Sequence, residues 1–394
     1  MARNEWPLIG LSVSYALHHH VDTVIVLDHA STDASIQGLH ALKTVWGDRL
    51  QIHRLDDDTY LQEAATTLLI AEARNSGHDW VYVFDADEFL LTPSTESLPE
   101  FLNSIDHDTQ VLSYSLNNWV APQNFDDTDV SRYDEIVWRA LPDADLSPDP
   151  HVYINAIRSG GANFYDYAYP PKVIFRNGAT GWLGSGSHSV KYPLGLESRD
   201  MRSVEVVAAH LPLLSFRRLA NKSAHGASVA AASDSELAGW QNRIVHEFDV
   251  AGQLDDYWLA HSIPSDDATT SRRLPTLIRD ESLSDALGPV IERVAAVLDP
   301  ALQTDNQGRP EPATTALDWS VVAPLVRDLQ TRVDELNAAT YNAHVAAQLA
   351  KQRVVEAEVV AAGANEELNV VINSNSWRLT APLRNVRQWW RTRR

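Results

Sequence analysis

The sequence predicts an α/β fold, a mostly parallel doubly wound sheet followed by a C-terminal α-helical segment of coiled-coil character. Three observations predict it. Helix and strand patterns alternate over residues 6–84. A β-branched and aromatic run, Trp80 to Phe84, leads directly into the carboxylates Asp85, Asp87 and Glu88. From Val322 onward, apolar residues recur in an unbroken 4-3 spacing.

Trp6 to His19 carries apolar residues at helical spacing, with Pro7 tolerated in a first turn. Thr23 to Leu27 reads as a strand, and Asp28-His29-Ala30-Ser31-Thr32-Asp33 as a polar turn at its carboxyl end. A helix over 35–46, a strand over 50–55, a helix over 60–76 and a strand over 80–84 follow. The stretch from 117 to 200 is rich in Asn, Asp, Pro, Gly and aromatic residues, which suits loops and a few antiparallel strands added to the first sheet. These readings make residues 1–262 one α/β domain. Residues 263–317, rich in Pro, Asp, Ser and Thr, read as a linker with a short helix. The seam of Val322, Val326, Leu329, Val333, Leu336 and their successors to Val371 predicts a long helix over 318–372. Many seam positions are alanine, so pairing with a second helix would bury little area and be weak. A single long helix packed on the first domain is the other reading. Residues 373–394 form a basic tail rich in Trp and Arg.

A chain of 394 residues, 44% of them hydrophobic, can bury a full core. No apolar run is long enough to span a bilayer and no signal peptide is visible, so a cytoplasmic protein is expected. Cysteine is absent, which excludes disulfides, thiolate metal sites and cysteine nucleophiles. The net charge of −21 argues against nucleic-acid binding, all the more because the six arginines after Ser374 leave −27 on the rest.

The acids after the 80–84 strand carry the chemistry. Adjacent carboxylates repel unless a cation or proton offsets them. Oxygen ligands at the carboxyl end of a strand suit Mg2+ or Mn2+, which commonly bridge a carboxylate to a phosphate. Glu88 suits either a metal shell or a backbone turn.

Asn4-Glu5, the Asp28–Asp33 turn and Phe84-Asp85-Ala86-Asp87-Glu88-Phe89-Leu90 together resemble the motifs of family-2-like glycosyltransferases. Pro171-Lys172-Val173-Ile174-Phe175-Arg176, Ser187-His188-Ser189 and His210-Leu211-Pro212 recur in that subgroup in the same order, so the resemblance spans residues 4–225. It implies a GT-A fold and transfer of a sugar from a nucleotide-sugar donor to a glycan or lipid-linked acceptor in cell-surface polysaccharide assembly, with inversion. It further implies a divalent metal, Mn2+ or Mg2+, on Asp87, with Asp85 reaching the metal or the ribose. His188 and His210 would complete the metal shell or contact the diphosphate. Glu5, Asp28 and Asp33 would hold the nucleoside, although Asp28 and Asp33 equally suit an Asx turn. Lys172, Arg176 and Lys222 are candidates to neutralise phosphate. An inverting transfer needs a carboxylate base, for which Asp134, Glu135 and Asp166 are weak candidates.

The family has a hydrophobic strand before Asn-Glu, where this chain offers only Met1-Ala2-Arg3. The expectation is that the true start lies upstream. The final segment resembles the C-terminal ends of bacterial surface-polysaccharide glycosyltransferases. Its Trp377, Trp389 and Trp390 among arginines suggest an anchor to an anionic membrane face. A second reading of the whole is a non-catalytic assembly protein that acts through its helical segment.

Overall fold

The computed structural model describes residues 1–56, 62–93, 97–147, 149–178, 182–183, 188, 190–191, 199–232, 239–264 and 268–298, with isolated residues between 324 and 384. The chain divides into two units, Met1–Arg327 and Asp328–Arg394.

The first unit is mixed α/β. Its opening elements follow the predicted alternation: α1 (Leu8–His19), β1 (Val24–His29), α2 (Ser35–Trp46), β2 (Leu50–Leu55), α3 (Gln62–Asn75) and β3 (Trp80–Tyr82). β1 and β2 pair in parallel, Val24 opposite Leu50 through His29 opposite Leu55. Then the pattern changes. β4 (Glu88–Leu91), α4 (Leu98–Ser104), β5 (Thr109–Asn118), β6 (Trp138–Leu141), α5 (Pro150–Ser159) and β7 (Lys172–Arg176) lead through two short strands, β8 (Trp182–Leu183) and β9 (Val190–Lys191), to β10 (Arg199–His210). A five-stranded sheet is ordered β3-β7-β5-β10-β4, and only its β5–β10 pair is parallel. The expected mostly parallel sheet is therefore corrected to a mixed one. The physical reason is that long βα crossovers occur only before β3, whereas later strands return beside a neighbour in antiparallel sense.

α1 is buried along nearly its whole length, from Leu8 to Leu17. Its two serines are accommodated because Ser12 Oγ donates to Ile9 C=O and Ser14 Oγ accepts the Trp46 indole N–H at 3.1 Å. Trp6 lies against Gly10 and Gly38, and a Cβ at Gly38 would stand 2.2 Å from its ring. At the end of α1, His20 Nε2 bonds Leu90 C=O and His19 Nε2 bonds Ala286 C=O, so the histidine run ties elements together.

α6 (Phe216–Ala232), α7 (Trp240–Val250) and α8 (Leu254–Ala260) follow β10. Residues 263–317, expected as a linker with a short helix, fall within the first unit. β11 (Thr276–Arg279) pairs antiparallel with β6, and α9 (Ser282–Leu298) buries Leu283, Leu287, Val290, Val294 and Leu298 in the core that contains α1. Those five residues have helical spacing. Residues 299–317 lie outside the described residues.

β10 departs from regular pairing with β5 twice, between Arg199 and Asp200 and, by more, between Arg202 and Val207. Between Arg202 and Val207 it advances five residues while β5 advances two, from Ser113 to Ser115. Ser203 Oγ accepts the N–H groups of Glu205 and Val206 and so fixes this bulge. Beyond it the register is regular to His210, which stands opposite Asn118 of β5 and Glu88 of β4.

In the second unit the described residues between Asp328 and Val354 are helical, with an Asp328–Arg332 ion pair. Of the heptad seam, Leu329, Ala343, Ala350 and Val354 are described, and none is buried. The remaining seam positions in this unit, and Trp389 and Trp390, lie outside the described residues. Arg384 sits over the Trp377 ring at 3.6 Å. Among the described residues of the chain, no helix is long and apolar enough to cross a membrane.

Candidate functional site

Two acidic turns end two strands of the first unit. The first, after β1, is bound to the segment before α1. Asn4, at φ +56°, accepts the N–H groups of Thr32 and Asp33 on Oδ1 and donates its own N–H to Ser31 Oγ at 2.9 Å. Asp33 accepts the N–H of Ser35 on one oxygen and the N–H of Trp6 on the other. Asp28 is buried, accepts from Ser31 N–H and pairs with Arg54 at 3.1 Å. Burial raises its carboxyl above the usual range despite these partners. The Asn-Glu and Asp-x-x-Ser-x-Asp motifs thus hold one another. Asp33 makes the Asx turn that was the other reading of this residue, before α2. Asp28 is engaged by Arg54, though its Oδ1 is buried without a partner.

The second turn, Asp85-Ala86-Asp87, joins β3 to β4, and Glu88 opens β4. Here the partners come from far along the chain. Lys172, the first residue of β7, is 3% exposed and places Nζ 2.7 Å from Asp85 Oδ2 and 2.8 Å from Glu88 Oε1. Glu88 is buried, and burial together with Asp85 pushes its carboxyl up to about 8. Desolvation acts to raise Asp85 too, but Lys172 outweighs it and holds that carboxyl below the usual range. Near neutral pH the trio therefore carries one ammonium, one carboxylate and one carboxylic acid, a balanced set.

Asp87 is left outside that balance. Its C=O accepts Leu211 N–H, and its Oδ2 lies 3.8 Å from His210 Nε2. His210 Nδ1 is 2.8 Å from Asn118 Oδ1, and in the tautomer in which Nδ1 donates to that oxygen, Nε2 presents a lone pair towards Asp87. Burial lowers the His210 pKa to about 4, which keeps the ring neutral. In that tautomer Asp87 Oδ2 and His210 Nε2 are two acceptors facing one another at 3.8 Å. Among the described residues no three of His, Asp and Glu converge as a ready metal cage. Asp87 and His210 supply two donors, and the rest of a shell would come from phosphate oxygens and water, as Mg2+ and Mn2+ sites often arrange.

The remaining predicted residues divide. Glu5 binds Arg218, which also holds the buried Asp127, and lies within electrostatic reach of Asp87 and Lys222. His188 bonds Pro171 C=O through Nδ1, and burial and then Lys172 lower its pKa. Ser187 and Ser189 lie outside the described residues. Arg176 is corrected: it closes the far end of β7 from Lys172, stacks on Trp80 at 4.3 Å and donates to Thr109 C=O. Two of the three candidate bases have ionic partners. Glu135 is exposed and held by both arms of Arg132, and Asp134 is exposed beside it. Asp166 is buried, accepts Asn163 N–H and lies 3.5 Å from Arg273, a capping role.

Sequence reading missed Asn118 and Arg218. Asn118 ends a strand that otherwise alternates buried and part-buried residues, and a polar residue buried there was the available signal. No family model matches the chain, and no curated protein matches it.

Proposed function

We propose that the first unit is a GT-A glycosyltransferase that uses a nucleotide-sugar, with its diphosphate bound beside Asp87 and His210. The observation that carries this reading is the pair of facing acceptors, Asp87 Oδ2 and His210 Nε2, 3.8 Å apart at the end of a strand. Mg2+ or Mn2+ bound there with a diphosphate would neutralise the charge that develops on the leaving group. Asp87 and His210 orient that group, and Asn118 fixes the imidazole so that Nε2, not N–H, is offered. Lys172 belongs to the support of the turn: by neutralising Asp85 it leaves Asp87 as the carboxylate free to bind. Glu5 and Lys222 border the same space, where Lys222 can meet a phosphate oxygen. The acceptor is a glycan or lipid-linked saccharide, and the basic tail would hold the enzyme at an anionic membrane face.

A second reading is favoured by Lys172 itself, which occupies Asp85 and Glu88 as an internal cation. In that reading the turn is a finished structural unit, and the chain is an assembly protein that acts through its helical second unit. Nucleotide release from a panel of nucleotide-sugars with Mn2+, compared between the wild type and Asp87→Ala, separates the two. Release that falls at least a hundredfold in the variant supports the transferase. No release from any donor favours assembly, and release unchanged in the variant removes Asp87 from the mechanism.

A further inference from the structure

A network of aromatic rings leads away from His210, and no step of the proposed chemistry uses it. Tyr169 meets the His210 ring edge-on, with centroids 5.8 Å apart. Tyr167 lies 5.1 Å from Tyr169. Trp240, the first residue of α7, stands 6.1 Å from Tyr167, and the two ring planes are at 89°. Two buried rings back this array. Tyr153 of α5 stacks on Tyr167 at 4.0 Å and meets Trp240 at 5.2 Å, while Phe164 lies 5.7 Å from both Tyr169 and Trp240.

The segment between the short helical turn Phe164–Asp166 and β7 supplies both tyrosines. Tyr167 has extended backbone, and burial alternates after it: Tyr167 and Tyr169 are partly buried, Ala168 and Pro170 exposed. Alternation of this kind sets the two rings on one side of the segment. The same segment runs into Lys172, which holds Asp85, so one stretch of chain places both the rings and the support of the acidic turn. Because Tyr153 and Phe164 hold the rings from behind, a ligand would meet surfaces that are already ordered.

Core packing accounts for Tyr153 and Phe164, which are buried. Tyr167, Tyr169 and Trp240 differ, since each keeps part of its surface in solvent within two ring contacts of His210. Partly exposed Tyr and Trp offer a flat apolar face with a polar rim. A pyranose has the matching form, with an apolar C–H face and hydroxyls around its edge. Transfer also requires the acceptor to lie beside the departing diphosphate, and these rings adjoin the residues proposed to hold it.

We propose that Tyr167 and Trp240 form a corner that seats one pyranose ring of the acceptor saccharide, and that the acceptor passes over Tyr169 to reach His210. The role of this sugar as acceptor rests on the transferase reading, whereas its binding to the rings does not. An acceptor held this way is selected by its sugar and not by a lipid chain attached to it.

Saturation-transfer NMR on the full chain, with EDTA and without nucleotide, reads the binding directly. The probes are methyl glycosides of hexoses and N-acetylhexosamines, their β-linked disaccharides, octyl β-glucoside and uridine. At least one glycoside is expected to bind with Kd on the order of 1–10 mM, with saturation concentrated on its C–H protons. Tyr167→Leu and Trp240→Leu keep apolar bulk but remove the flat ring, and each should weaken binding about fivefold or more. Tyr167→Phe, which keeps the ring, should bind as the wild type does. If a leucine variant fails to fold, fluorotryptophan in the wild type reads the same contact, its Trp240 signal assigned with Trp240→Phe. That signal should shift when the glycoside is added, and a signal that stays in place overturns the proposal. Glycoside binding left unchanged in both leucine variants also overturns it, as does the absence of binding by every glycoside. Saturation confined to the octyl chain, or uridine bound in the glycoside's place, overturns it in favour of a lipid or a nucleoside site. A glycoside that binds the rings while no donor releases nucleotide would remove the transferase reading and leave the sugar site standing.

Discussion

The two acidic turns of this protein begin alike and end differently. Each follows a strand of the first half of the chain, and each offers two aspartates within a few residues. After β1 the carboxylates meet partners from nearby sequence and from β2: Asp33 takes two backbone N–H groups, and Asp28 takes Ser31 and Arg54. After β3 the partners arrive from residues 118, 172 and 210, and they balance Asp85 and Glu88 while leaving Asp87 opposite a second acceptor. A local motif states that acids are present; the long-range register decides whether they are satisfied. In the first turn the one unpartnered oxygen, Asp28 Oδ1, is buried, whereas in the second Asp87 is left facing His210.

The sharpest way to break this contrast is to remove the distant cation. Lys172→Ala strands a buried Glu88 beside Asp85, and at pH 8 and above it should cost about 3–5 kcal/mol in urea unfolding. The loss should shrink towards pH 6, where Glu88 holds its proton. A pH-independent cost would mean that Lys172 acts by packing alone.

Next in size is the pH dependence of the wild type, measured with EDTA present. Glu88 has a folded pKa of about 8, above its unfolded value, so the folded state binds the extra proton. Its contribution is full below the unfolded pKa and is lost as pH rises towards 8. His210 has the opposite sign: its folded pKa of about 4 is depressed, so its contribution is present above the unfolded value and lost as pH falls through the acid range. The lowered histidines and the N-terminal amine titrate alike in wild type and in Glu88→Gln, so the difference between the two isolates Glu88. From pH 6.5 to 8 the stability of the wild type relative to Glu88→Gln should fall by about 1–2 kcal/mol, at no more than ~1.4 kcal/mol per pH unit.

Asp33→Ala sharpens the comparison from the other side. It removes a cap and the tie to Trp6, and should cost about 1–2 kcal/mol without changing Mn2+ affinity. Asp87→Ala should show the reverse, with affinity lost and stability nearly kept. The smallest effect belongs to Glu135→Ala, an exposed pair with Arg132, which should stay within about 0.5 kcal/mol and leave nucleotide release intact.

The elements up to Tyr82 were legible because their information is local. Apolar spacing marks α1, α2 and α3, and β-branched runs mark β1 and β2. The mixed sheet was not legible, since whether β7 lies against β5 in parallel or antiparallel sense is written in no single segment. The site followed the same division. Asp85, Asp87 and Glu88 were found from a strand and a turn, whereas Asn118 had no motif and acquires its role only when β5 and β10 come into register. Glu135 and Asp166 have short-range partners, Arg132 and the Asn163 cap, that their own segments supply. A short helix was expected within 263–317, and α9 lies there; its packing into the core beside α1 could not be read from its own segment.

The bulge in β10 has a consequence for how this chain can change. Glu88, Asn118 and His210 are aligned across three strands, and a slip of one residue would turn His210 to the other face of the sheet. The surplus residues of β10 are taken up before Val207, where Ser203 pins them. The last four residues of the strand are thereby mechanically insulated from the segment that enters it. Insertions and deletions before Val207 can be absorbed at this bulge without detuning the three side chains, so the alignment at His210 stays fixed.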